Sequence, residues 1–215
     1  MRLNLSADEV LLTTRSVRKR LDFDRPVERE LIDECLEISL QAPTGSNMQG
    51  WHFVMIDEQK KKDAIAKIYH DAFMLYYSLP KPEYAEGDVR RESIPKVGDS
   101  ALFLAKNMQR APYLMIPVIQ GRAENAGGAM AASLYGSILP AAWSFMLALR
   151  ERGLGSAWTT LHLLGEGERE AAEILGIPFE THSQVGLFPV AYTIGTDFKP
   201  AKRLPLSQVS HWNSW

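Results

Sequence analysis

From Asn125 to Leu149 the chain carries no charged residue, and AGGAMAASLYGSILPAAWSFMLAL within that run is long enough to cross a bilayer. A helix that is apolar on every side belongs either inside protein or inside a membrane. Here small and polar residues dilute the run: Gly127, Gly128, Ser133, Gly136, Ser137, Pro140 and Ser144. That favours one long buried helix over a membrane span. A chain of 215 residues has little interior to spare for it. A second subunit covering one face is therefore expected, which means an obligate homodimer.

The remaining composition is that of a folded protein, with 46% apolar and 23% charged residues. One domain spanning 1–215 is expected. Lys plus Arg number 24 against 26 Asp plus Glu, a net charge of -2, so a nucleic-acid partner is disfavoured. A single cysteine, Cys35, rules out an internal disulfide and any multi-cysteine metal site. The opening MRLNLSADEV has no apolar run after its arginine, so a soluble cytoplasmic protein is the expectation, with no membrane partner.

Local signals place most elements. Ser6-Ala-Asp8-Glu9 resembles a capping box opening a helix to about Thr14. Pro26 suits a first helical position, and Val27 to Gln41 sets Leu31, Cys35 and Ile38 on one face beside Ile32 and Leu36. Cys35 thus belongs to the core. Pro43 to Asn47 has turn chemistry. Trp51–Ile56 has strand composition, and Gln59 to Leu75 is predicted helical. Ser78 to Gly98, with Pro80, Pro82, Gly87 and Pro95 among many charges, is predicted to be a surface excursion that covers a site. Tyr113–Gln120 is strand-like, although Pro117 argues for an edge or a bulge. Gly153-Leu-Gly155 ends the long helix, and Ser156 to Leu161 is extended. Glu166 to Leu175 is a helix stopped by Gly176 and Pro178, and Gln184 to Ile194 is a further apolar strand. The tail from Phe198 ends in HWNSW and is too aromatic to float free. Helices mixed with few strands, without strict alternation, give an α+β fold.

Several kinds of apparatus are missing. There is no G-x-G-x-x-G after a strand, no G-x-x-x-x-G-K-[ST] and no G-x-S-x-G. The histidines at 52, 70, 162, 182 and 211 never fall at a tight ligand spacing, so no metal site is expected.

Three segments do carry chemistry. Arg15-Ser16-Val17-Arg18 sets two guanidinium groups around a hydroxyl, a pattern suited to a phosphate, though a solvated basic helix end looks the same. Pro43-Thr44-Gly45-Ser46-Asn47 offers short donors and acceptors around a glycine, fit for a heterocycle edge or an ordinary turn. Lys202-Arg203 is a second cationic cluster. In this order, and joined by Met48-Gln-Gly-Trp-His-Phe-Val54, Arg110-Ala-Pro112, Gly153-Leu-Gly-Ser156, Leu175-Gly-Ile-Pro178 and Lys202-Arg-Leu-Pro-Leu206, they resemble the FMN-dependent nitroreductase family over nearly the whole chain. Gly50 stands where many members have proline.

The resemblance implies a mixed, mostly antiparallel sheet wrapped by helices, and an intertwined homodimer whose C-terminal extension, residues 198–215, lies on the partner. It implies FMN at the dimer interface. Arg15, Ser16 and Arg18 would hold its phosphate and ribityl chain, with Arg203 and Lys202 completing the clamp. Pro43, Thr44, Gly45, Ser46 and Asn47 would line the isoalloxazine from one subunit. Thr160 and Leu161 would lie at the reacting edge, Leu161 through its backbone N–H near flavin N5. NAD(P)H would reduce the flavin, which would then reduce a nitroaromatic, a quinone or a related small aromatic acceptor in a ping-pong cycle. The excursion, residues 78–98, would be the lid that selects the acceptor, with Tyr76, Tyr77 and Tyr84 available to stack on it. Reductive dehalogenation, dehydrogenation and oxygen-dependent chemistry are alternatives on the same scaffold, and a non-catalytic FMN-binding dimer is another.

Overall fold

A computed structural model describes residues 2–124 and 126–215; Asn125, the first residue of the uncharged run, lies outside them. Ser6 caps α1 (Ala7–Thr13), accepting from the Glu9 amide while the Glu9 carboxylate accepts from the Ser6 amide. Then follow β1 (Leu21–Asp22), α2 (Arg29–Ser39), β2 (Trp51–Ile56), α3 (Gln59–Ser78), α4 (Ile94–Asn107) and β3 (Tyr113–Gln120). The second half contributes α5 (Gly128–Gly136), α6 (Leu139–Glu151), β4 (Leu154–Ser156), α7 (Gly167–Leu175), β5 (His182–Gln184) and β6 (Phe188–Thr193).

The strands form one sheet in the order β1-β6-β3-β2, with β4 on β6 and β5 on β3, and each of these pairings is antiparallel. A parallel bridge between Ser16 and Ser156 makes the sheet mixed. Helices cover both faces. Leu114, Ile116 and Val118 of β3 point to the core under α3, α4 and α7, whereas Met115 points to the core built with α2 and α6. A strand buried on both sides must be apolar at every position, and that is why Tyr113–Gln120 lacks polar alternation. The fold is α+β, as the element order predicted.

The structure corrects several boundaries. The uncharged run is not one helix. Pro140 has no N–H and its ring would strike the carbonyl four residues back, so α5 ends at Gly136 and α6 restarts at Leu139 with the proline in its first turn. The two pieces also differ in environment: α6 buries Ala141, Ala142, Phe145, Met146 and Leu149, whereas α5 buries no residue within the chain. The stretch Gly128–Glu151 is long and apolar enough to cross a membrane, yet α6 is enclosed between α2 and β4.

Pro26 precedes α2 rather than opening it, because the cap is Glu28. Ile38 is 41% exposed, and Ser39 takes the buried place on that face. Cys35 is fully buried as expected, and burial pushes its thiol up to about 12. The excursion ends earlier than expected: Pro95 sits in the first turn of α4, a helix that the sequence reading did not foresee.

Pro117 lies in the middle of the sheet, not at its edge. Its carbonyl accepts from the Val185 amide, so its nitrogen faces the same side, where β3 passes from its pairing with β6 to its pairing with β5. The missing donor falls in that gap. The same hand-over breaks the stretch Gln184 to Ile194 into β5 and β6. Leu154 and Gly155 already belong to β4, so only Gly153, in the left-handed region at φ 72, ends the helix. Leu161 starts a 3-10 turn instead of ending a strand. Gly176 closes α7 at φ 73, as expected.

Candidate functional site

The chain leaves α1 at Thr14 and runs extended beside β4, the Val17 amide donating to the Ser156 carbonyl at 2.8 Å. Gly155 permits this close crossing: a Cβ there would sit 2.7 Å from Thr193 Cγ2 and 3.0 Å from Val17 Cβ. Val17 is thereby driven into the core, and Arg15 and Arg18 leave the strand in different directions. Arg15 lines a small cavity with Thr13, Thr14, Met146, Arg150 and Ser156. Burial, and then the nearby Arg203, hold its guanidinium below the ordinary arginine range. The structure thus brings together two cations lying far apart in sequence. Neither makes an ion pair among the described residues. Among the described residues, Arg203 donates to the Lys202 carbonyl, at 3.3 Å.

Other expected members sit elsewhere. Arg18 faces α3 and α4, its Nη1 3.5 Å from Ser100 Oγ, and burial lowers its pKa while Tyr69 opposes. Lys202 pairs with Glu92 of the excursion at 2.9 Å, so it straps the tail to that segment. Both partners are exposed, and such a pair is weak and exchangeable.

Ser16, exposed, bridges to Ser156, and from there the chain leads to the Thr159–Leu161 segment. Thr159 is clamped to Leu187 by hydrogen bonds in both directions. Thr160, exposed, caps the 3-10 turn Leu161–Leu163. The first amides of such a turn have no partner within it, so the Leu161 N–H is free of the turn's own ladder. Beneath it lies His162, 0% exposed, with neither ring nitrogen hydrogen-bonded. Burial pushes this imidazole down to about 4, with the facing Gln184 pulling weakly the other way.

The loop Pro43–Asn47 stands apart. Gly45 donates its amide to Ser137 Oγ at 2.9 Å, and Ser137 donates to the Ser133 carbonyl, so the loop is pinned to the α5–α6 turn. Ser46 and Asn47 adopt left-handed φ of 51 and 54. Thr44 Oγ1 accepts from the Gln49 amide, and Asn47 Oδ1 accepts from the Gln49 side chain. This loop meets the N-terminal end of α6, whereas Arg15 meets its C-terminal end. At about 1.5 Å per residue the two places are roughly 20 Å apart along that helix.

The excursion covers a cavity of about 540 Å³ lined by Phe73, Tyr76, Tyr77, Pro80, Tyr84 and Arg90, among others. The two cations lining that cavity are engaged: Lys81 lies 4.2 Å over the Tyr77 ring, and Arg90 lies 4.2 Å over Tyr84 and pairs with Asp88 at 2.7 Å.

Two residues of the Arg15 cavity were missed by sequence reasoning, Arg150 and Ser156. The available signal was helical spacing, since Arg150 follows Met146 by four residues and therefore continues the buried stripe of α6.

Comparison with known proteins places these features in a family. The model of the Nitroreductase family matches residues 11–192. A NADH dehydrogenase of Thermus thermophilus is 27% identical over 223 residues, covering 97% of this chain and 96% of that protein. An iodotyrosine deiodinase of Thermotoga neapolitana is 25% identical over 183 residues, covering 85% and 86% respectively. Among solved structures, the FMN and NADPH-dependent nitroreductase NfnB from sphigopyxis sp. strain HMH superposes with a TM-score of 0.68 at 22% identity, covering 98% of this chain and 100% of that one. The shared fold is the content of that last likeness.

Proposed function

The chain belongs to the nitroreductase family, and from that premise we propose that it is an FMN-dependent oxidoreductase driven by NAD(P)H, reducing a nitroaromatic, quinone or related aromatic acceptor as a cytoplasmic homodimer. The observation that carries this reading is the approach of Arg203 to Arg15, the neighbour of Ser16, with neither cation in an ion pair among the described residues. A partly buried Arg15 guanidinium with a second, exposed cation beside it calls for an anion, and the phosphate of FMN fits the pair. Arg15, Ser16 and Arg203 hold that phosphate and the adjoining ribityl hydroxyls, and Arg18 lies further along the same segment toward α4. Thr160 and the Leu161 amide serve the reacting edge.

When bound, FMN supplies the redox chemistry, accepting a hydride from the nicotinamide and passing electrons to the acceptor. The protein binds, orients and shields. Pro43, Thr44, Gly45, Ser46 and Asn47 complete the site of the partner, which their distance from Arg15 along α6 supports. The dimer also accounts for apolar surface that one chain leaves bare: Met130 is 68% exposed, Trp212 86% and Trp215 102%.

A second reading, reductive dehalogenation, is favoured by the deiodinase relative. To grip an amino-acid zwitterion, an enzyme needs free charges facing the substrate, and the two charged residues that line the lid cavity, Lys81 and Arg90, are already engaged. That supports an uncharged aromatic acceptor. Steady-state NADH and NADPH oxidation decides between the two readings. Rapid turnover with a nitroaromatic or quinone, with parallel double-reciprocal lines, is the expected result. Negligible oxidation of either nucleotide, with deiodination of iodotyrosine under dithionite, would favour the second reading.

A further inference from the structure

We infer that Ser137 is a positioning residue for the flavin ring: its hydroxyl holds the loop of residues 44–49 in the shape that lines the isoalloxazine. The inference rests on the flavin reading above and concerns the ring end of the cofactor. Ser137 caps the C-terminal end of α5 and is 9% exposed. Its Oγ donates to the Ser133 carbonyl at 2.7 Å and accepts from the Gly45 amide at 2.9 Å. The hydroxyl has one proton, and with that proton committed to Ser133 its lone pairs are fixed toward the loop. Glycine permits the approach: a Cβ at residue 45 would sit 2.8 Å from Ser133 Oγ and 3.4 Å from Ser137 Oγ.

The loop needs such an anchor. Ser46, Asn47 and Gln49 adopt left-handed φ of 51, 54 and 50, and none of them is a glycine. Residues with side chains keep that conformation only where their surroundings fix it. The loop's own bonds are short-range: the Asn47 amide donates to the Thr44 carbonyl and the Met48 amide to the Gly45 carbonyl, each at 3.1 Å, and the Gln49 amide donates to Thr44 Oγ1 at 3.2 Å. They close the turn without attaching it to anything. Ser46, Asn47, Met48 and Gln49 are all exposed, so packing within the chain does not hold them. Among the described residues, the bond from Gly45 to Ser137 is the hydrogen bond that ties this loop to the rest of the chain. Its far end is firm, because the next residue, Ile138, is 0% exposed and caps the buried helix α6. The loop therefore takes its position from α6 through one hydroxyl. Released from it, the loop would spread over other conformations, and affinity for the ring would fall with the fraction left in the binding shape.

The test uses the full chain stripped of bound flavin and titrated by flavin fluorescence with FMN and with riboflavin. Ser137→Ala is expected to weaken both flavins equally, by about 3- to 10-fold, the scale of one lost hydrogen bond. The visible absorbance band of the flavin that still binds should shift, because the surroundings of the ring change; a general loosening of the fold would not move it. Ser137→Thr keeps the hydroxyl and should restore both the affinity and the band. Unchanged binding of both flavins, or a loss confined to FMN, would overturn the assignment. If wild type binds neither flavin, the cofactor reading fails, and hydrogen exchange decides the anchor alone. Faster exchange of the amides of residues 45–49 in Ser137→Ala, with those of α6 unchanged, keeps the anchor; unchanged exchange at residues 45–49 removes it.

Discussion

Acidification from pH 7 to pH 4 is expected to remove about 3 kcal/mol of folding stability through one side chain, His162. Its imidazole stays neutral in the folded protein down to about 4, because it is buried among the 3-10 turn, α7 and Gln184. In the unfolded chain it takes its proton near 6.5. Between those values the unfolded state binds the additional proton. Stability therefore falls as pH drops from about 6.5 to 4, and it is independent of this group above that window. About 2 kcal/mol should already be gone by pH 5. Carboxylates held low by cations, such as Glu34 at about 2 beside Arg152, lose their contribution at more acid pH. Urea denaturation at pH 7, 6 and 5 measures the slope, and His162→Gln should flatten it. An unchanged slope in that variant would show that His162 is not the titrating group. Because His162 adjoins Leu161, the same titration should loosen the turn that offers the Leu161 amide, so flavin release should accompany the acid loss.

Replacing Phe145 with alanine is expected to cost about 4 kcal/mol. The ring is 0% exposed at the centre of the layer between α6, α2 and the sheet, among Ile32, Cys35, Met115, Leu149 and Phe188. Deleting it removes apolar contact and leaves a cavity that rigid neighbours from two helices and a sheet cannot fill. Ile38→Ala, on the exposed side of α2, should cost less than about 1 kcal/mol and serves as the control. Denaturant titration of both variants checks the contrast. Equal losses would mean that the apolar run of α6 is not packed as described.

These two sites also show what the sequence could and could not reveal. The capping box of α1, the strand composition of β2 and the glycine stop of α7 are local signals, decided within a few residues, and each appeared where expected. Pro117 and the break at Val185 were misjudged because both depend on which neighbour β3 has at each point, a tertiary fact. The prolines and glycine around α4 hid a helix whose stability comes from packing Leu104 and Ala105 under the sheet. The uncharged run correctly signalled burial for α6, but α5 has no fully buried residue and rests on the core through the half-buried Leu134. Within the site, the Arg15 and Arg203 segments were legible as cations one by one, and their coming together was expected only from the family resemblance. Arg150 went unnoticed because a lone arginine ending an apolar helix is ordinarily a solvated C-terminal charge.

The flavin is the claim on which the rest depends. The most direct measurement is the visible absorbance spectrum of the protein purified without added cofactor, followed by identification of whatever heating releases. A yellow protein that releases about one FMN per chain is the expected result. A colourless protein that also fails to take up added FMN would contradict the account. It would leave the neighbouring cations Arg15 and Arg203 in need of a different anion.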